Sequence, residues 1–282
     1  MWMKPKYPIY IPSKGRWASC PTVQRLDEMG LTYFVVVESE EAEFYAREIG
    51  PSRLLVLPFS NLGQGSIPAR NWIWDHAVAN DRPRHWVIDD NIRRFYRVNF
   101  NRRIPVATGT IFRCVEDFVD RYENVGLAGL NNIAFVPDRQ PSITPITWNT
   151  RIYSMTLIDS GLKHRWRGRY NEDTDLSLRV LKDGDVTVQF NAFCGDKATT
   201  LTMRGGNTDT IYNTGDHRLE FAESLQRQHP DVVSVVWKFG RWHHEVDYGP
   251  FKRNAPRLRP GVVATGAPDE YGMTLKRVEA TA

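Results

Sequence analysis

The sequence is poor in cysteine and has no long hydrophobic run. Its three cysteines, Cys20, Cys114 and Cys194, lie far apart without paired spacing, which favours reduced thiols over disulfides or a zinc site. No run approaches the roughly 18 apolar residues of a membrane-spanning helix, and the N-terminal segment turns polar where a signal peptide needs its apolar centre. These absences predict a cytoplasmic chain that has no membrane partner.

Internal repeats and low-complexity blocks are also missing, so nothing divides the 282 residues into equal units. The hydrophobic content of 41% is ample for a packed core. We expect a main domain, the catalytic one if the chain is an enzyme, over residues 1–215. A basic C-terminal extension over 216–282 is expected to pack on it, with a tail from about residue 261. The chain is expected to act as a monomer.

The net charge of +4 is too modest to establish a nucleic-acid partner. Basic residues nevertheless concentrate together with aromatic ones in three segments, 93–103, 163–170 and 237–259. This mixture suits phosphate neutralisation and base stacking, although arginine and lysine stems also lie on aromatic surfaces for purely structural reasons.

The N-terminal part alternates between strand-like and helix-like segments. Strands are predicted over 7–11, 33–37 and 54–59, and helices over 21–29 and 39–49, each helix ended by glycine. Short loops between such elements imply right-handed crossovers. The pattern therefore predicts an α/β fold with a mainly parallel sheet flanked by helices.

Residues 85–92, HWVIDDNI, contain a short apolar strand that runs directly into Asp89, Asp90 and Asn91. Oxygen ligands at a strand end suit Mg²⁺ or Mn²⁺. A simple Asp-Asn turn that closes the strand is the alternative interpretation.

Two further segments contain residues suited to phosphate binding. The turn over residues 12–16, PSKGR, has a glycine, a hydroxyl and two cations, and the glycine-rich loop from residue 61 leads into a helix that begins near Ile67 or Pro68. Arg70 and Asn71 then lie near a helix N-terminus, where backbone N–H groups favour anions. The loop matches neither a Walker sequence nor a dinucleotide fingerprint.

A second acidic cluster opens a predicted helix that ends at Gly184. Asn171 or Asp173 can cap this helix, and Glu172, Asp173 and Asp175 fall in its first turn. Acids there are expected as partners of the helix dipole, but the position also suits a general base for a hydroxyl nucleophile.

The order of these motifs over roughly residues 7–190 resembles the GT-A class of nucleotide-sugar-dependent glycosyltransferases. The segments MRGGNTDTIY (203–212) and RWHHEVDYGPFKRN (241–254) are similar to the branch called TET/JBP-associated glycosyltransferases. That branch, found in phages and trypanosomes, is linked to sugar transfer onto 5-hydroxymethylpyrimidines in DNA.

The resemblance implies roles for particular residues. Nucleotide-sugar binding falls to Ser13, Lys14, Gly15, Arg16, Arg70, Asn71, Asp89 and Asp90. A divalent ion, Mn²⁺ or Mg²⁺, would be held by Asp89, Asp90 and Asn91, with His217 as a further ligand; Asn91 stands where many GT-A sequences have Asp, which lowers the ligand charge.

For catalysis, the resemblance makes Asp173 the base of an inverting transfer, with Glu172 positioning the acceptor. If the transfer retains configuration, Asp173 is a positioning group instead. A hydroxyl on a stacked base must be flipped out or unpaired to react. The DNA contacts expected are Trp166, Arg167, Arg169, Trp242, His243, His244, Lys252 and Arg253, although Trp166 and Trp242 also suit a core and the histidines a solvated surface.

The expected function is therefore metal-assisted transfer from a UDP-sugar, UDP-glucose in the first instance, to 5-hydroxymethylcytosine or 5-hydroxymethyluracil in DNA. For a bacteriophage protein this places the enzyme in the host cytoplasm. Alternatives remain open at this stage: a GT-A enzyme with a protein, glycan or small-molecule acceptor, a two-metal nuclease, or a non-catalytic DNA-binding protein.

Overall fold

A computed structural model describes residues 3–139, 144–198, 217–262 and 267. The predicted motif over 203–212 and most of the tail from residue 261 lie outside the described residues. Among the helices described, none is both long enough and apolar enough to cross a bilayer.

The N-terminal half follows the predicted alternation. The strands are β1 (Ile9–Pro12), β2 (Phe34–Val37), β3 (Leu54–Val56) and β4 (Arg84–Ile88), and the helices are α1 (Pro21–Glu28), α2 (Ala42–Ile49) and α3 (Ile67–Ala79). These four strands are all parallel and lie in the order β3-β2-β1-β4. The α/β class, with helices flanking a large sheet, is confirmed.

The remaining strands make the sheet mixed rather than mainly parallel. They are β5 (Ile92–Asn99), β6 (Arg102–Pro105), β7 (Val125–Asn132), β8 (Ile146–Trp148), β9 (Met155–Asp159) and β10 (Val186–Lys197), with helices α4 (Thr110–Val119) and α5 (Glu172–Lys182). The full order is β3-β2-β1-β4-β9-β7-β10-β5-β6, and β8 pairs with β10. Strands β5, β6, β8 and β9 pair antiparallel with their neighbours. The mainly parallel prediction is wrong here because β9 runs antiparallel between β4 and β7, and because β5 and β6 form a hairpin instead of a helical crossover unit.

Alternate residues of the strands feed two hydrophobic layers. In β1, Ile9 and Ile11 join the layer under α1 and α4, whereas Tyr10 joins the layer under α3 and α5. This period of two is the expected result of burying both faces of a strand. The helices therefore cover both faces of the sheet.

The C-terminal segment packs on α5. It comprises α6 (Arg218–Gln228), a hairpin of β11 (Val233–Lys238) and β12 (Arg241–Val246), and a 3-10 turn over Gly249–Arg253. Leu181 of α5 shares a buried cluster with Leu225 and Phe251. Asn254 donates from Nδ2 to the carbonyl oxygen of Leu181 over 2.7 Å, which anchors the segment.

One edge of the sheet gathers the candidate residues. Because β1 and β4 are parallel neighbours, the turns that follow them lie side by side. Lys197 ends β10 near the turn after β4, and the first turns of α3 and α5 face the same place, as the contacts of Arg70 show.

Candidate active site

The acidic turn Asp89–Asn91 is held from below by α1. Thr22 donates from Oγ1 to the carbonyl oxygen of Asp89 over 2.6 Å and accepts from the backbone nitrogen of Ile92 over 2.8 Å. Its own backbone N–H donates to the carbonyl oxygen of Asp90 over 3.3 Å. The turn is therefore fixed by the start of a helix far away in sequence.

Asp89 lies between two cations. Arg70 donates from Nη2 to Oδ1 over 3.0 Å, and Lys197 donates from Nζ to Oδ2 over 2.7 Å. Lys197 also donates to Oγ of Ser154 over 2.9 Å. Burial by itself raises the pKa of Asp89, but Lys197 and Arg70 outweigh it and lower the pKa to about 2. Asp89 is therefore ionised at neutral pH.

Asp90 is buried and contacts the turn that follows β1. Ser13 donates from Oγ to Oδ2 of Asp90 over 2.7 Å, and the Arg16 guanidinium pairs with Oδ1. The hydroxyl of Tyr45 lies 2.7 Å from Oγ of Ser13. Burial raises the pKa of Asp90 despite the opposing effect of Arg16. The structure thus brings together the predicted residues Ser13, Arg16 and Asp90.

Arg70 joins the acidic turn to the second acidic cluster. Its Nη1 lies 3.0 Å from Oδ1 of Asp173 and 3.5 Å from Oε1 of Glu172. The guanidinium carbon lies 4.6 Å from the centre of the Trp166 ring, and Nε is buried without a hydrogen-bond partner among the described residues. Burial lowers the pKa of Arg70, but the surrounding carboxylates raise it by more, so the guanidinium stays charged.

Glu172 and Asp173 begin α5, as predicted, and remain partly exposed, with 15% and 23% of their side chains accessible. Burial and the neighbouring Asp173 raise the pKa of Glu172 to about 7. A carboxyl that titrates near neutrality beside a second acid is typical of acid–base sites. The predicted side-chain cap is absent, because Asn171 adopts a left-handed conformation and donates to the carbonyl oxygen of Phe221.

Asp175, the third acid of that turn, belongs to a separate buried network. It pairs with Arg179 and Arg167 and accepts from His229 over 2.9 Å. Burial raises the pKa of Asp175, but His229 and Arg167 outweigh it and lower it to about 2. Arg167, predicted to contact DNA, is half exposed and shares its guanidinium with this network.

Three of the residues predicted to bind nucleotide already have partners within the chain. Lys14 donates to Glu38 over 2.6 Å, and the backbone N–H of Gly15 donates to Glu41 over 2.8 Å. Asn71 forms two hydrogen bonds with the backbone of Trp166, over 2.9 and 2.8 Å. Asn71 therefore holds the backbone of Trp166, whose ring lies against the Arg70 guanidinium.

The predicted DNA contacts fall into buried and exposed groups. Trp166 is only 3% exposed, so the prediction that it contacts DNA directly is wrong. Its ring packs against the Arg70 guanidinium instead. Trp242 is 38% exposed, and Lys252 and Arg253 are exposed.

Arg169 and the two histidines complete the set. The Arg169 guanidinium lies 5.6 Å from the Tyr170 ring centre. On β12, His243 accepts from Nε of Arg241 at 3.0 Å. Burial and the nearby Arg151 lower the pKa of its neighbour His244 to about 4.

The arrangement does not fit the predicted metal site. Across the described ranges no three His, Cys, Asp or Glu side chains are grouped to hold an ion. Asp89 and Asp90 are neutralised by Arg70, Lys197 and Arg16, which leaves little net negative charge to attract a cation. The Oδ1 of Asn91 is buried without a hydrogen-bond partner in the described part. It could act as a metal ligand, but it is a single neutral oxygen. His217 instead contacts Glu220 at the start of α6.

Lys197 and Ser154 are part of the site but were not predicted. Lys197 lies 108 residues from Asp89 in the chain, at the end of a long strand, and nothing in its local sequence distinguishes it from a surface lysine. Its place in the sheet is the only signal that identifies it.

Comparison with known proteins gives one family. The sequence profile of the family described as TET-Associated Glycosyltransferase matches residues 7–206. No curated protein sequence matches the chain. A solved structure described as a nucleotide-diphospho-sugar transferase, from Desulfovibrio desulfuricans G20, is 10% identical, with a TM-score of 0.38 over 80% of this chain and 98% of the other.

Proposed function

The chain belongs to the TET-associated glycosyltransferase family, and from this premise we propose that it transfers glucose from UDP-glucose to the hydroxymethyl group of a 5-hydroxymethylpyrimidine in DNA. As a glycosyltransferase it needs a place for a leaving diphosphate and a base for the acceptor hydroxyl. The observation that supports the proposal is the Arg70 bridge, which joins candidates for both tasks.

The cations of the site are suited to a diphosphate. Arg16, Arg70 and Lys197 surround the acidic turn, and each is at least three-quarters buried. Partly desolvated cations interact strongly with phosphate oxygens. In our proposal they bind the nucleotide diphosphate and stabilise its charge as it leaves.

Asp173 is the proposed base. The acceptor oxygen attacks the anomeric carbon of glucose, the bond from that carbon to the UDP oxygen breaks, and the acceptor proton passes to Asp173. The products are the glucosylated pyrimidine and UDP, and the configuration at the anomeric carbon is inverted. Arg70 holds the Asp173 carboxylate in place, and Glu172 beside it positions the acceptor hydroxyl.

The sequence predicted help from Mn²⁺ or Mg²⁺, but we assign no step to a metal ion. The carboxylates that would bind it are already paired with guanidinium and ammonium groups. In our proposal Arg16, Arg70 and Lys197 exchange part of this pairing for the oxygens of the diphosphate when the nucleotide sugar binds.

For the acceptor, the proposal uses exposed residues of the C-terminal segment. Trp242, Lys252 and Arg253 can meet a base and the phosphate backbone. We propose that the enzyme acts on DNA as a monomer in the cytoplasm.

The test is a panel of UDP-sugars offered with DNA that contains 5-hydroxymethylcytosine, 5-hydroxymethyluracil or only unmodified bases, together with peptide and glycan acceptors. Digestion to nucleosides and mass spectrometry should find a hexose on a hydroxymethylpyrimidine alone. Transfer to peptide or glycan, or UDP-glucose hydrolysis without transfer to any DNA, would overturn the proposed acceptor.

A further inference from the structure

An exposed hairpin begins directly after the acidic turn. Strands β5 and β6 pair antiparallel and are joined by the two residues Phe100 and Asn101. We call residues 92–105 the arginine ribbon. Strand β5 is hydrogen-bonded to β10. Strand β6 is the last strand of the sheet and has no further neighbour among the described residues.

The tip of the ribbon has a bulky apolar residue, Phe100, at a turn position that favours small or polar residues. Phe100 has φ of 47°, a left-handed conformation that is rare for bulky side chains, and it is 90% exposed. Asn101 follows with φ of 57°, as a two-residue turn of this kind requires. Asparagine tolerates such a turn well, but a solvent-exposed phenylalanine does not stabilise it. The ring is available to a partner.

One face of the ribbon carries unbalanced positive charge. Arg97 is opposite Ile104 and Asn99 is opposite Arg102, so Arg97 and Arg102 lie diagonally on the same face. Both are exposed, and neither forms an ion pair within the described ranges. The nearby acids are otherwise engaged: Asp196 pairs with Arg93, and Asp138 accepts from the backbone N–H of Arg103.

Arg139 lies close to the tip and pairs from Nε with Asp138 over 3.7 Å, so it places an exposed guanidinium there without adding unpaired charge. Its backbone N–H donates to the carbonyl oxygen of Asn101 over 2.6 Å, and its side chain is 72% exposed. An aromatic tip beside several exposed guanidinium groups is complementary to a polyanion that also offers stacked rings.

We propose that the arginine ribbon binds the duplex that flanks the acceptor base, with Arg97 and Arg102 on phosphates and Phe100 inserted against the base edges in a groove. This inference rests on the proposed DNA acceptor. Eight residues of β5 span about 25 Å, which corresponds to about seven base pairs. The ribbon therefore contacts DNA up to about seven pairs from the reacting base, rather than the reacting base itself.

The first experiment compares the salt dependence of binding to a fluorescent duplex that carries 5-hydroxymethylcytosine. The double variant Arg97→Gln/Arg102→Gln should bind more weakly, and its plot of log affinity against log salt should be shallower by about 1.8, because two phosphate contacts are lost. The matched control is Arg47→Gln/Arg82→Gln, which removes two exposed arginines, one on α2 and one before β4 at the end of that strand opposite the ribbon. It should keep the wild-type slope. An unchanged slope in the ribbon variant would overturn the inference.

The tip is tested with Phe100→Asn, which suits the left-handed conformation. We expect the melting temperature to be unchanged or higher, while affinity for the duplex falls about tenfold. The loss should vanish on duplexes cut to fewer than about seven pairs on each side of the modified base. Equal affinity of Phe100→Asn and wild type on long duplexes would contradict the role of Phe100.

Two controls distinguish DNA from an anionic membrane surface, and the ribbon from the active site. Binding to phosphatidylserine vesicles measures affinity for the membrane surface; loss of vesicle binding in the ribbon variants, with DNA binding intact, would overturn the inference. If wild type neither binds DNA nor glucosylates it, the proposed function itself fails. If wild type does both and the ribbon variants match it, only the ribbon inference fails.

Discussion

The guanidinium of Arg70 lies 3.0 Å from the carboxylate of Asp89, and this contact joins the first turn of α3 to the acidic turn after β4. The other arm of the same guanidinium reaches the acids that begin α5. One buried side chain thus sets the distance between the proposed diphosphate site and the proposed base.

Arg70→Lys should therefore reduce kcat/KM for sugar transfer by about 100-fold, because an ammonium group cannot bridge two carboxylates in a fixed geometry. The measurement is steady-state transfer to 5-hydroxymethylcytosine DNA.

Arg84→Lys is the matched control for that variant. Arg84 is also buried and pairs with two acids, but it lies at the opposite end of β4. It should lower stability while leaving kcat/KM of the folded enzyme within about threefold. Equal losses of kcat/KM in the two variants would show that Arg70 acts only on folding.

Lys197→Gln should weaken UDP-glucose binding by about tenfold, since a partly buried ammonium group is lost beside the proposed diphosphate site. Isothermal titration calorimetry measures this directly. The control is Lys6→Gln, which removes a lysine of similar exposure that also pairs with aspartates. Wild-type affinity in Lys197→Gln would rule out its contact with the nucleotide.

Chelation should have little effect on the reaction. Because three cations already neutralise Asp89 and Asp90, we expect transfer in EDTA to stay within about twofold of the rate with Mn²⁺. A rate that collapses in EDTA and returns with Mn²⁺ would show that the cations move aside for a metal ion when substrate binds.

Glu172 should make stability depend on pH. Its pKa is raised to about 7 in the folded chain but is about 4.3 in an unfolded one. Between these values the unfolded chain releases a proton that the folded chain retains, so the free energy of unfolding falls as pH rises from about 4.3 to 7. Denaturant unfolding should show that Glu172→Gln gains about 1–3 kcal/mol relative to wild type from pH 4.5 to 7.5. A constant difference would contradict the raised pKa.

The sequence predicted the N-terminal alternation well because its signals are local. Gly30 and Gly50 follow predicted helices, and the β-branched run at Val35–Val37 is a strand by itself. The arginine ribbon was missed as a hairpin because its strands are rich in arginine and its pairing partner, β10, is about 100 residues away. The β-propensity of a local segment does not reveal a strand that is stabilised by a partner so far away in the sequence.

The same limit applies to the site. Asp89, Asp90, Glu172 and Asp173 could be proposed from their positions at the ends of elements. The distances that give them meaning join residues 103 and 108 apart, through Arg70 to Asp173 and Lys197 to Asp89. The metal prediction missed the pairing of the acids with cations for the same reason.

The most direct test of the account is the single-turnover rate of glucose transfer to 5-hydroxymethylpyrimidine DNA by Asp173→Asn, with the exposed Asp75→Asn as the matched control. The account predicts a loss of at least about 100-fold in Asp173→Asn, with UDP-glucose affinity retained and with Asp75→Asn at the wild-type rate. Transfer at the wild-type rate by Asp173→Asn would contradict the assignment of the base.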